Sequence, residues 1–235
     1  MAAAAPVRLG FRALRLWAEE VSAVITVEEA RALYAENDPA HGFDHVLRVL
    51  ALAERIARAE GADLEIVRAA ALLHDVGREE EVRTGRCHAQ VSAARAREIL
   101  RGHPPERVEA VAEAIAAHRF REGTPPRTLE AQVLYDADKL DAIGAVGVAR
   151  AYACAGMYGH RLWGEVPPGY ADRPPEEGQG DREDVSHTPV HEFAFKLARL
   201  RETLFTPTGR RIAEGRHQFM VAFFQRLEQE VRGEV

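Results

Sequence analysis

The stretch Ala69-Ala70-Ala71-Leu72-Leu73-His74-Asp75-Val76-Gly77-Arg78 decides how this chain reads. An apolar run ends in an adjacent histidine and aspartate, and a glycine follows at once. An imidazole nitrogen and a carboxylate can hold a divalent metal from one helical turn. A polar pair at the end of an Ala/Leu run is penalised unless something satisfies it. One such dipeptide is a weak signal. It also fits a plain helix C-terminus, where the dipole favours the histidine. The residues upstream and downstream decide between the two.

Upstream, residues 43–60 carry Val46, Val49, Leu50, Leu52, Ala53 and Ile56 at helical spacing, with Gly61 as the stop. His45 sits early in that helix. Asp63 caps the next one, expected to run to about Val76. Thr26-Val27-Glu28-Glu29 reads as a capping box opening a helix to about Glu36, and residues 7–21 suit an earlier helix. Downstream, residues 78–86 read as a polar loop with three consecutive glutamates. Helices are expected over 88–101, 105–119, 127–141 and 144–157. Residues 159–187 turn Gly-, Pro- and charge-rich, a long loop of the kind that carries function or disorder. Two closing helices follow over 190–204 and 209–231. With β-branched runs scarce and no repeat, the expectation is an all-α bundle. Residues 1–235 read as one domain, with a core over 26–157, the loop over 159–187 and closing helices over 190–231.

Composition narrows the classes. The chain has 235 residues, 46% of them hydrophobic and 29% charged, as in soluble globular proteins. A net charge of −6 argues against a broad nucleic-acid surface. Cys87 and Cys154 form no CxxC pair, which points to free, inert thiols in a reducing compartment. No apolar run approaches the roughly 20 residues of a membrane span. Arg8, Arg12 and Arg15 break the uncharged core that a signal peptide needs. A cytoplasmic protein without membrane or nucleic-acid partners is expected.

Four positions then form a constellation. His45, the His74-Asp75 pair and Asp138 (in Tyr135-Asp136-Ala137-Asp138-Lys139-Leu140-Asp141) lie on or at the ends of separate helices, and a bundle can point them at one spot. Two imidazoles and two carboxylates suit a hard or borderline divalent ion. Asp136 and Asp141 stand within a turn of Asp138 and read as supporting or capping residues. His41 reads as a support or an N-terminal cap, and Glu79, Glu80 and Glu81 as a solvated acidic loop. The stripe of Phe219, Phe223, Phe224 and Leu227 reads as core or a dimer face.

These positions resemble, in order and approximate spacing, the H…HD…D signature of the HD superfamily of metal-dependent phosphohydrolases. His41-Gly42-Phe43-Asp44-His45-Val46-Leu47-Arg48-Val49 is similar to that family's entry motif, and Leu72-Leu73-His74-Asp75-Val76-Gly77-Arg78 to its central one. Residues 136–144 are similar to the DADxLDAxG segment of the small stand-alone bacterial members, the YpgQ-like branch. Thr208-Gly209-Arg210-Arg211-Ile212-Ala213 and Arg216-His217-Gln218-Phe219-Met220 resemble that branch's closing helix.

The resemblance implies an HD-domain bundle with His45, His74, Asp75 and Asp138 as metal ligands. The metal would polarise a phosphoryl oxygen and lower the pKa of a bound water. His88 and His118 match two further family histidines that contact phosphate, move protons or bind a second metal. Arg48, Lys139, Lys196 and Arg216 become phosphate clamps, with Lys139 also catalytic beside Asp138. Glu192 stands where the branch often has a histidine. Manganese is the favoured ion among Mn²⁺, Mg²⁺, Fe²⁺, Co²⁺, Ni²⁺ and Zn²⁺. The implied substrate is a nucleotide, with nucleoside triphosphate cleaved to monophosphate and pyrophosphate. A monophosphate phosphatase, another small phosphate-ester hydrolase, a non-catalytic nucleotide-binding module and a di-iron oxygenase stand as alternatives. A monomer or a homodimer is expected.

Overall fold

A computed structural model describes residues 24–34, 42–119, 125–173 and 186–235. Its helices are α1 (Val27–Arg31), α2 (Phe43–Glu60), α3 (Leu64–Leu73), α4 (Arg78–Thr84), α5 (His88–Ile99), α6 (Pro105–Ala116), α7 (Leu129–Asp141), α8 (Gly144–Tyr158), α9 (Pro189–Phe195) and α10 (Pro207–Val231). Short 3-10 turns cover Tyr170–Asp172 and Leu197–Thr203. The fold is all-α, with no strand among the described residues. No described helix is long and apolar enough to cross a membrane. The expected helix over 7–21 and the reading of His41 lie outside the described residues.

Local signals account for most boundaries. Thr26 and Glu29 form the reciprocal capping box at α1. Asp63 accepts hydrogen bonds from the backbone N–H groups of Glu65 and Ile66 at the start of α3 (3.0 and 3.2 Å). α2 closes on Gly61 in the left-handed region, φ 81°.

Several boundaries differ from expectation. α1 ends at Arg31 rather than near Glu36. α3 stops at Leu73 and the chain turns through residues 74–77, so the His74-Asp75 pair sits on the helix end itself. Residues 78–84 are helical rather than a loop: Glu79, Glu80 and Glu81 fill the first turn, where the helix dipole favours anions, and Gly85 (φ 74°) ends it. Finally, the chain breaks at Lys196 (φ −124°, ψ −56°), which divides the expected helix over 190–204 into α9 and a 3-10 turn.

α2 packs between α3 and α7, α3 leans on α6, and α5 pairs with α6, while α10 lies along α8 and α7. Leu50, Ile56, Leu72, Leu73, Ile115, Leu134, Leu140 and Met220 are fully buried in one shared apolar cluster. Each such side chain contributes about 1.5–3 kcal/mol by leaving water. Two close approaches fix the frame around the site. A Cβ at Gly77 would stand 2.8 Å from the Ser92 nitrogen and from Val91, so only glycine lets the turn after α3 lie against α5. Buried Asp136 accepts from Phe205 N (2.9 Å), Thr206 N (2.8 Å) and Thr206 Oγ1 (2.6 Å), which ties α7 to the start of α10.

Candidate metal centre

The helix ends and helix starts of this bundle converge on Asp75. His74 closes α3 and His118 follows α6. Both sit where the last carbonyls of a helix lack intrahelical partners. Each donates its Nδ1–H to the carbonyl three residues earlier, His74 to Ala71 (2.7 Å) and His118 to Ile115 (2.6 Å). His45 and His88 lie in the first turns of α2 and α5, where the spare backbone groups are donors instead. Their Nδ1–H groups go to carboxylates, His45 to Asp141 (2.7 Å) and His88 to Glu81 (2.8 Å). In all four rings the proton is thereby held on Nδ1, and Nε2 presents a lone pair to the interior.

The Nε2 atoms come in two pairs. Those of His45 and His74 lie 3.3 Å apart, and those of His88 and His118 lie 3.2 Å apart. Two lone pairs at that distance repel unless a cation stands between them. Asp75 divides the pairs. Its Oδ2 is 3.7 Å from both His45 Nε2 and His74 Nε2. Its Oδ1 is 3.6 Å from His88 Nε2 and 3.7 Å from His118 Nε2. Oδ1 is buried and accepts no hydrogen bond among the described residues, a costly state that a metal would relieve. Asp138 completes the first group, its Oδ1 being 3.5 Å from His45 Nε2. The donor atoms of His45, His74 and Asp138 all lie within 4.8 Å of one another, as do those of Asp75, His88 and His118.

The electrostatics fit cation binding. Burial pushes the His74 and His88 imidazoles down to about 4, so both are neutral at pH 7, as a metal ligand must be. Burial alone would raise the Asp75 carboxyl, but Arg78 and the neighbouring imidazoles hold it well below the usual range. Asp138 is likewise carried well down against its burial, with Lys139 first among the causes. Both carboxylates are therefore ionised.

The other expected site residues are placed as follows. Lys139 is buried, with Nζ 2.7 Å from Asp138 Oδ2. Arg48 lies behind His45 and donates from Nε to Asp141 Oδ1 (2.8 Å). Arg216 donates to the Leu140 carbonyl, at the end of α7. Lys196 pairs with Glu192 on α9 (2.7 Å), and Glu192 also meets His187 (3.5 Å). Thus His45, His74, Asp75, His88, His118, Asp138 and Lys139 come together, whereas Arg48, Arg216 and Lys196 are engaged elsewhere.

Three residues to which the sequence reading gave no site role stand at the centre, Glu81 among them having been read as part of a solvated loop. Arg78 donates to Asp75 Oδ2 (3.0 Å), Arg150 to Asp141 Oδ2 (2.9 Å), and Glu81 holds His88. Arg78 belongs to the quoted motif and was open to suspicion. Glu81 stands seven residues before His88 in a stretch without an apolar stripe, and Arg150 is one of many arginines.

The HD domain family matches residues 42–143, which include every residue of this centre except Arg150. YpgQ of Bacillus subtilis is 34% identical over 207 residues, 86% of this chain and 90% of YpgQ. This chain belongs to the HD domain family. The structure of Bacillus subtilis YpgQ in complex with ADP is 32% identical, with a TM-score of 0.67, and the match covers 88% of this chain and 99% of that one. A predicted HD superfamily hydrolase from an uncultured Thermotogales bacterium is 32% identical with a TM-score of 0.60, over 87% of this chain and 90% of its own. As an HD hydrolase, the chain is a metal-dependent phosphohydrolase, and its two His/Asp groups are the residues that could hold the divalent metal.

Proposed function

We propose that this HD hydrolase cleaves nucleotides, taking nucleoside triphosphates to monophosphate and pyrophosphate, at a centre that holds two divalent ions. The observation that carries the reading is the fork of Asp75, with one oxygen facing each pair of Nε2 atoms. His45, His74 and Asp138 would hold an inner ion, His88 and His118 an outer one, and Asp75 would bridge them. Bound there, divalent ions polarise a phosphoryl oxygen and supply a water nucleophile at neutral pH. The ADP held by the related YpgQ supports a nucleotide substrate. Manganese is the preferred ion, and residues 1–235 act as one unit.

The chain's own groups divide the remaining work. His88 and His118 serve as ligands, because their Nε2 atoms face each other and Asp75 Oδ1 across one small gap. Lys139 is the cation placed to meet a phosphoryl group beside Asp138. Arg48 keeps Asp141 on His45, and so orients a ligand instead of clamping phosphate.

Product analysis tests this. Protein stripped by chelator and reloaded with Mn²⁺ is incubated with nucleoside mono- and triphosphates. Pyrophosphate release from triphosphates, absent in His74→Ala, is expected. Orthophosphate release from monophosphates alone would replace the reading with a phosphatase. Metal binding without turnover on either class would overturn it.

A further inference from the structure

We propose that Glu81 is the positioning residue of the outer pocket and sets how tightly that pocket takes up a divalent ion; this rests on the two-ion reading above. A histidine in the first turn of a helix has no free carbonyl ahead of it to receive its Nδ1–H. His45 and His88 are both in that position. Asp141 answers for His45, and Glu81 answers for His88. Glu81 grips His88 twice, through Oε2 to Nδ1 (2.8 Å) and through Oε1 to the backbone N–H (3.4 Å). Arg119 (3.3 Å) and Arg78 (3.8 Å) hold the carboxylate from the other side, and Arg78 is itself bound to Asp75.

The neighbouring glutamates do none of this. Glu80 pairs with Arg86, away from the centre. α4 buries no side chain, so nothing apolar seats it. Its inward contacts are the charged ones made by Arg78 and Glu81. Removal of the Glu81 carboxylate leaves the His88 Nδ1–H without an acceptor. The proton is then better placed on Nε2, where Asp75 Oδ1 stands 3.6 Å away as an acceptor in need of a donor. That tautomer turns an N–H toward Asp75 and removes the lone pair that the outer pocket needs.

Equilibrium dialysis against Mn²⁺, with metal content measured directly, tests the role. Wild type is expected to bind two equivalents, and His88→Ala one. Glu81→Ala should keep the first equivalent unchanged and bind the second about 10–100-fold more weakly, the usual cost of losing a group that orients a ligand. Glu81→Gln, whose amide oxygen still accepts from Nδ1–H, should restore much of the loss, and Glu80→Ala should match wild type. A merely structural role would not single out the second equivalent or be rescued by glutamine. Two wild-type-like equivalents in Glu81→Ala, with one in His88→Ala, would overturn the role of Glu81 alone. One equivalent in wild type and the same one in His88→Ala would overturn the two-ion reading and this inference with it. If the alanine variant does not fold, loss of the second equivalent from Glu81→Gln, as in His88→Ala, would overturn the rescue and with it the role as acceptor for Nδ1–H.

Discussion

The inner and outer pockets differ most in what stands behind their histidines. Asp141, behind His45, has a side chain only 1% exposed and takes further hydrogen bonds from Arg48 and Arg150. Glu81, behind His88, is 22% exposed and rides on a seven-residue helix that buries nothing. The residues proposed for the inner ion come from α2, α7 and the end of α3, the helices that carry much of the core. The outer pocket adds a ligand at the start of α5, against which α4 rests. Groups with little buried apolar contact open at low free-energy cost, and groups locked into a core do not. The inner pocket is thus preorganised by packing, whereas the outer one is assembled by charge.

The largest effect belongs to the residue the pockets share. Asp75→Ala should lose both equivalents of metal and all measurable turnover, while circular dichroism stays helical. An Asp75→Ala protein that kept one tightly bound ion would show the pockets to be independent and break the comparison.

A smaller effect sharpens it. Asp141→Ala should weaken the first equivalent about 10–100-fold, measured by competition with a chelator. It also strands the Arg48 and Arg150 guanidinium groups, so a fall in melting temperature should accompany the metal defect. Glu81→Ala should show the metal defect with little loss of stability, because α4 contributes no core. Equal thermal losses in the two variants would contradict the difference drawn here.

The same contrast explains what could be read in the sequence. α2 was legible from its apolar spacing and Gly61 stop, and α3 from its Asp63 cap. His74 and Asp75 stood out as a polar pair ending an apolar run, and His45 and Asp138 through their order and spacing in the H…HD…D signature. α4 was not legible, since three glutamates without apolar spacing look like a solvated loop until the dipole that steadies them is seen. Glu81 was hidden for the same reason. Arg48 and Arg216 look like phosphate clamps in a list of cations. Only tertiary structure shows that Asp141 and the Leu140 carbonyl already engage them. The break at Lys196 carries no glycine or proline to announce it.

The central claim is that Asp75 separates two metal pockets. Anomalous diffraction from crystals of the Mn²⁺-loaded protein tests it most directly. Two peaks are predicted, one among His45, His74, Asp75 and Asp138 and one among Asp75, His88 and His118, with the second weaker at limiting manganese. A single peak that persisted at saturating manganese, with His88 and His118 bound to no ion, would contradict the account.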